Sequence, residues 1–401
     1  MHRRFFMKKI TAAVCALLFL FPAVSHAALV SSGKYGYTVD LPEGFSMADG
    51  TEDESLFLFT SDRSPVSVLL VAGECSSGAP DFLASTLSKL GSSSVPEKVA
   101  WRRRECAFCE FGMSNGALSS RNLGVAVCAP LSKEGTFACV ISFCPEESFG
   151  AYRYLCLSAA DSLCVDEGSF RVPGIVAEHF VPRGKSVPLN MRVSGTEIAT
   201  SVCENDSAAN RSVIDREFSA FKRTLGDGVC GNLALAAWQR FYRAVARDAL
   251  GRLSRVAFDV QAALEDAAAE KDAENPDAAL AQMLLSWAQD LRYERRSADV
   301  DKADFSDVVS VLRDCGSDCD SRSLLLAVLL KNMGMDSCFF VSSAYSHALL
   351  GVVLDGKLGQ AIEIDGKRYL LGDTTVRGLT FGRIDATQAD KSKWLEVEFP
   401  F

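Results

Sequence analysis

Three residue types that together do nucleophilic chemistry follow one another near the C-terminal end of the chain: a cysteine, a histidine and an aspartate. Cys319 lies in Arg313-Asp314-Cys315-Gly316-Ser317-Asp318-Cys319-Asp320-Ser321-Arg322, and the run Ser323-Leu324-Leu325-Leu326-Ala327-Val328-Leu329-Leu330-Lys331-Asn332-Met333-Gly334 follows it. A run apolar on every side predicts a helix buried in a core. Ser and Asp suit its start, while Lys331 and Gly334 suit its end. Cys319 falls in the first turn, where unpaired N–H groups and the helix dipole favour an anion. A thiolate is such an anion, so the position should lower the thiol pKa and activate the sulfur. The base it needs is supplied by His347, which opens the apolar strand Ala348-Leu349-Leu350-Gly351-Val352. An orienting carboxylate, Asp373, ends the later strand Tyr369-Leu370-Leu371-Gly372. Asp318 and Asp320 flank the sulfur and read as helix caps. Tyr345, two residues before the histidine, is placed to line a cleft. The backbone N–H of Cys319 supplies one oxyanion donor, and Trp287 is a candidate for the second.

A Gly-x-x-Cys-Asp helix start, a His-Ala strand and an Asp-Thr strand end, in that order, resemble the transglutaminase-like superfamily of papain-type thiol enzymes. The resemblance covers roughly the last 125 residues, and the preceding helices more distantly. Gly316 stands one residue further from the sulfur than the family's usual Gly-Asp-Cys, and Leu349 stands where an aromatic often follows His-Ala. What the resemblance implies is a triad: Cys319 the nucleophile, His347 the general base and then acid, Asp373 the orienter of the imidazole. It also implies a cysteine peptidase or amidohydrolase acting by acyl transfer, with transamidation as the variant when an amine replaces water. The substrate would be a protein or peptide; no cofactor and no metal are called for.

Other readings of the same residues stay open. Cys319 could be bonded to Cys315 or Cys338 and do nothing chemical, leaving a non-catalytic envelope or surface interaction module. A thiol–disulfide protein could use Cys106-Ala107-Phe108-Cys109 or the Cys315/Cys319 pair. His179 has no ligand-spaced neighbours and reads as an ordinary histidine, and Arg183-Gly184-Lys185-Ser186 lacks the upstream glycine of a phosphate loop.

The elements that must position these groups follow from the rest of the chain. Residues 1–27 read as a secretory signal, with Arg3, Arg4, Lys8 and Lys9 before an apolar stretch and Ser25-His26-Ala27 as cleavage site. The protein should therefore be exported, periplasmic or secreted and bacterial in style. No later run is long enough for a membrane span. The formal net charge of −9 becomes more negative without those four cations, which argues against nucleic acid as a partner. Of fourteen cysteines, eight lie between Cys75 and Cys164, so an exported chain predicts a disulfide framework there. Setting aside Cys15 and Cys319 leaves an even number to pair.

Residues 28–165 read as an α/β domain: strands near Tyr35–Pro42, Val66–Val71, Gly124–Ala129 and Phe137–Phe143, with helices near Asp81–Leu90 and Ser148–Leu163. This order, and the opening Tyr37-Thr38-Val39-Asp40-Leu41-Pro42-Glu43-Gly44-Phe45, resemble small PsbP/Mog1-type domains. Residues 166–204 read as a β-rich connector. From 205 to 401 a helical region leads into the transglutaminase-like core. Its helices are Asn232–Leu264, and a second after Asn275-Pro276 with Leu280, Met283, Leu284, Trp287 and Leu291 on its apolar face. The acidic stretch Glu265–Glu274 reads as the loop between them. After the Cys319 helix four strands are predicted, with Asp355-Gly356 and Asp365-Gly366 as hairpin turns. The fold class is α+β: a papain-like core of helical lobe and antiparallel sheet, preceded by a disulfide-rich α/β domain.

Overall fold

The computed structural model describes residues 28–114, 121–226, 231–295 and 302–399; the stretch 1–27 read as a secretory signal, with Cys15, and Cys230 lie outside them. The chain is a mixed α and β structure. Strands β1 (Ala28–Ser31) and β2 (Thr38–Leu41) form a short antiparallel ribbon. Seven further strands make one antiparallel sheet: β3 (Phe45–Gly50), β4 (Leu56–Ser61), β5 (Ser67–Glu74), β6 (Glu97–Trp101), β7 (Arg104–Ser114), β8 (Arg121–Pro130) and β9 (Thr136–Pro145). Their order is β3-β4-β5-β9-β8-β7-β6. Helix α1 (Ala79–Lys89) covers one face and α2 (Glu146–Asp161) the other. Both faces of the central strands are therefore dry, which is why Gly124-Val125-Ala126-Val127-Cys128-Ala129 is continuously apolar rather than alternating.

That pleat also decides the cysteines. On β7, Cys106 and Phe108 face the α2 side, while Ala107, Cys109 and Phe111 face the α1 side. Side chains three apart on a strand point to opposite faces, so Cys106 and Cys109 cannot meet. Burial raises the Cys106 thiol to about 12 and the Cys109 thiol to about 11. The C-x-x-C spacing is thus two inert core thiols, and a redox site there is ruled out by the strand. The disulfide framework expected for this region is not seen: every described cysteine is a free thiol, including Cys128 and Cys139, which face each other across β8 and β9.

The stretch read as a β-rich connector is helical in its first part, with a 3-10 turn at Glu167–Arg171 and helix α3 (Ile175–Phe180). Only then does it form the hairpin of β10 (Ser186–Val193) and β11 (Thr196–Cys203), turned by Ser194 and Gly195 at positive φ. Helices α4 (Asp206–Leu225) and α5 (Asn232–Lys271) follow, then α6 (Pro276–Asp290), whose Asn275 cap accepts from the Ala278 N–H. The acidic stretch expected as a loop is mostly the end of α5. Leu264 and Ala268 continue its buried stripe, and a stripe that still buries apolar surface keeps the helix going.

Helix α7 (Val308–Leu312) leads to α8 (Cys319–Asn332), which is buried along almost its whole length and ends before Gly334 at φ +89°. The last sheet, β12 (Ser337–Ser342), β13 (His347–Val352), β14 (Ala361–Ile364), β15 (Lys367–Gly372) and β16 (Leu395–Val397), is ordered β14-β15-β13-β12-β16. Asp365-Gly366 makes the expected tight hairpin between β14 and β15. Asp355-Gly356 does not join β13 to β14, because β15 takes the place beside β13.

The N-terminal domain and the helices meet along buried charge. Arg240, Arg243 and Arg247 recur at helical spacing on α5. Arg240 donates to the Asp40 carbonyl, Ser158 Oγ and Glu217 Oε2 (3.0 Å), and Arg243 grips the Asp40 carboxylate with two bonds of 2.8 and 2.9 Å. Arg247 donates to the carbonyls of Asp161, Leu163 and Ser169. Nearby, Glu43 is buried with Oε1 unpartnered, and burial raises its pKa to about 7.

Two outcomes are expected. Arg240→Met should destabilise the chain by about 3 kcal/mol, because it strips the Asp40 carbonyl of its donor and leaves the buried Glu217 carboxylate with one cation, Arg216, instead of two; urea denaturation of the full chain reads this directly. Glu43 binds its proton more tightly folded than unfolded, so it stabilises below its ordinary pKa and loses that contribution as pH rises through about 7. Glu43→Gln should raise the urea midpoint at pH 8 and leave it nearly unchanged at pH 4.

Candidate functional site

The site is assembled at the N-terminal end of α8. Asp318 is the N-cap: one carboxylate oxygen accepts from the Ser321 N–H (3.0 Å) and its hydroxyl (2.6 Å). Gly316 takes φ +95°, and a Cβ there would stand 2.7 Å from the Glu294 carboxylate, so only glycine lets the loop lie against the segment after α6. That segment holds it by two backbone bonds, Glu294 N–H to Ser317 C=O (2.9 Å) and Ser317 N–H to Arg292 C=O (3.1 Å).

Cys319 follows at 1% exposure, its sulfur beside the Ala348 N–H of β13. The thiol donates to Asp320 Oδ1 at 3.1 Å, and the Tyr242 hydroxyl donates to Asp320 Oδ2 at 2.7 Å. Burial first, then the Asp320 and Asp318 carboxylates, push the thiol pKa far above its usual range. The lowering expected from a helix N-terminus is reversed: a terminus is worth up to about 2 kcal/mol to an anion, while an unpaired buried charge costs several.

His347 opens β13, paired with Ser342 of β12. Its Nε2 lies 3.1 Å from Asp373 Oδ2, which leaves Nδ1 as the nitrogen available to a reacting group. Asp373 Oδ1 accepts from the Thr375 N–H (2.8 Å) and hydroxyl (2.7 Å). Burial alone would raise the Asp373 pKa, but His347 and the Thr375 donors outweigh it and hold the carboxyl below its ordinary value. Among the described residues no hydrogen bond joins Cys319 to His347. Cys319 thus stands at the start of α8, His347 at the start of β13 and Asp373 just past the end of β15, with the His–Asp link formed and no hydrogen bond from Cys319 to His347.

Arg322 fixes these segments from beneath. Its buried guanidinium donates to Ser317 Oγ (2.9 Å), the Thr374 carbonyl (3.2 Å) and the Leu291 carbonyl. Ser323 and Thr374 exchange a further hydroxyl bond of 3.1 Å. Above them an open cavity of about 630 Å³ is lined by Trp238, Tyr242, Arg295, Asp320, His347 and Trp394 among others.

Of the two substrate-binding candidates, neither lines it. Tyr345 packs behind the cleft, its ring 5.5 Å from that of Trp394, and Trp287 is half-buried on α6 against the core. The wall is made instead by Trp394, whose ring meets that of His347 edge-on at 6.3 Å, and by Trp238. Trp238 stands in a helical apolar stripe and so reads as core, while Trp394 sits in a tail without any motif. Cys338 faces away from α8 with Phe340, so it cannot bond Cys319, and Cys315 is an exposed free thiol. No trio of His, Cys, Asp or Glu among the described residues is placed to hold a metal, and no described helix is long and apolar enough to cross a membrane.

No family model matches this chain. No curated protein matches it either. Among solved structures it is similar to the cyanobacterial PsbP of Synechocystis sp. PCC 6803, at 15% identity over 37% of this chain and 98% of that one, with a TM-score of 0.28. It is similar also to the Ran-binding protein Mog1p of Saccharomyces cerevisiae, at 11% identity over 36% of this chain and 98% of that one, with a TM-score of 0.27. Both likenesses are weak ones of the N-terminal part.

Replacing Arg322 tests whether the site depends on it. Arg322→Met leaves two carbonyls and a hydroxyl without a donor, a loss of roughly 3 kcal/mol or more in urea denaturation. Arg322→Lys should recover little, since one ammonium cannot reproduce the planar fork.

Proposed function

We propose that the C-terminal part is a transglutaminase-like, papain-type thiol enzyme of an exported protein, cleaving a peptide or isopeptide amide. The observation that carries this is the His347–Asp373 pair at 3.1 Å, standing at the start of the strand that packs on the buried Cys319 helix. A nucleophile, a base and an orienter carried on three separate elements, with the base His347 on the cleft wall, is the set of groups acyl transfer requires.

In the reaction His347 takes the Cys319 proton as the sulfur attacks the amide carbonyl. The oxyanion that forms is met by backbone N–H at the start of α8. Collapse expels the amine, which takes the proton from His347, and leaves a thioester on Cys319. Water attacks the thioester with His347 again as base, freeing the carboxylic acid and the thiol. An amine in place of water would complete a transamidation. Asp373 holds the imidazole and stabilises its charged form without itself being protonated. The scheme uses no cofactor.

One observation favours a second reading. Cys319 is nearly inaccessible and its thiol is strongly disfavoured as a thiolate, which is what a non-catalytic interaction module on the same fold would show.

Turnover separates the two. The purified protein is incubated with fluorogenic peptide amides spanning acidic, basic and apolar side chains. For the enzyme, Cys319→Ala and His347→Ala each lower the rate of amine release by about 10⁵-fold or more, and Asp373→Asn by a smaller factor, on the order of 10²–10⁴. Release that survives Cys319→Ala, or its absence from the parent protein with all peptides, would sink the enzyme reading.

A further inference from the structure

The proposed triad does not use Asp320, yet this carboxylate is the group the sulfur touches. Its two oxygens are both engaged: Oδ1 accepts from the Cys319 thiol at 3.1 Å and Oδ2 from the Tyr242 hydroxyl at 2.7 Å. Tyr242 is held in turn, its ring packed edge-on against Phe339 (4.7 Å) and Phe305 (6.0 Å) and stacked on Trp238 (5.6 Å). An acid supported in this way cannot swing aside as an exposed surface aspartate does. Asp318, the other acid flanking the sulfur, is committed differently, to the Ser321 N–H and hydroxyl at the cap.

We infer that Asp320, backed by Tyr242, is a positioning residue that keeps Cys319 a protonated, latent thiol turned to its neighbour instead of to His347. The inference rests on the proposed triad and adds the step that must precede it: the thiol has to leave Asp320 before His347 can take its proton. Both Asp320 and Tyr242 line the cleft, so an occupant reaches the latch directly.

The remaining groups about the sulfur do not undo this. On α8 itself they are Asp318, Asp320 and Arg322, and Arg322 spends its donors on Ser317, Thr374 and Leu291. From the segment after α6 come Tyr293 and the exposed Arg295, whose charge solvent screens. From α5 comes Tyr242, and from β13 come His347, tied to Asp373, and the Ala348 N–H. The Ala348 N–H is the contact that favours a thiolate, and it is outweighed by burial and the two carboxylates.

The test is the pH profile of Cys319 alkylation by iodoacetamide in the full folded protein, mapped by mass spectrometry from pH 6 to 10. The parent protein should label slowly at pH 7 and rise steeply towards pH 10. Asp320→Asn keeps the shape and an acceptor but removes the charge, and should label at least 10-fold faster at pH 7.5 with its midpoint moved to lower pH. Asp318→Asn, which still caps the helix, should move the profile less. Coinciding profiles for parent and Asp320→Asn, including no labelling in either, overturn the inference, as does a larger shift from Asp318→Asn. Failure of the triad looks different: His347→Ala leaves the profile of the Asp320→Asn background untouched while the Asp320→Asn shift persists. Circular dichroism of each variant establishes that it is folded.

Discussion

Arg322 takes its charge into the interior without meeting a carboxylate, and three segments bring it acceptors instead: the carbonyl that ends α6, the hydroxyl in the loop before Cys319 and the carbonyl after Asp373. A buried guanidinium left without such partners would cost several kcal/mol, so the segments are held where its fork of donors reaches them. Those are the segments that must keep register for the site. Cys319 stands two residues beyond Ser317, and Asp373 directly before Thr374. Because α8 is packed on all sides, it cannot shift to accommodate a change in either loop. One cation therefore fixes the sulfur's helix and the orienting carboxylate to the same frame.

Helix α5 extends that frame to the other domain. Its early turns give Trp238 and Tyr242 to the cleft, and on a neighbouring stripe Arg240, Arg243 and Arg247 bind the ribbon and α2 of the N-terminal domain. Arginine spaced along a helix ordinarily reads as a solvated face, but here the guanidinium groups are spent on Asp40, Glu217 and a row of carbonyls. One helix thus contributes a stripe to the cleft wall and another to the contact with the N-terminal sheet.

What was legible in the sequence was local. The α8 start is encoded by Asp318 and its Ser321 donor, its end by Gly334, the α6 start by Asn275-Pro276 and the β14–β15 hairpin by Asp365-Gly366; in each case the deciding groups are within four residues of one another. The order Cys, His, Asp was legible as types of residue, and the His347–Asp373 contact realises one of its two links. What was not legible depended on distant chain. Whether Asp355-Gly356 turns a hairpin is settled by β15 taking the edge of β13. Whether Glu265–Glu274 is a loop is settled by what Leu264 and Ala268 pack on, and which tryptophan walls the cleft by the path of the tail to Trp394. The C-x-x-C spacing alone carries no information about faces; the strand setting does, and on β7 it turns the two sulfurs to opposite sides and leaves both as free thiols.

The same limit applies to the sulfur. Position at a helix N-terminus is a sequence-level reason to expect a thiolate, and it holds when solvent or a cation completes the site. Here the terminus competes with enclosure by α5, the segment after α6 and β13, and with a carboxylate whose second oxygen is pinned from α5. The dipole falls off within one turn and is worth a kcal/mol or so, whereas desolvation acts on the whole charge. The sum favours the protonated thiol at Cys319. The proposed nucleophile is therefore bonded to Asp320, whose second oxygen is held from α5 by the Tyr242 hydroxyl.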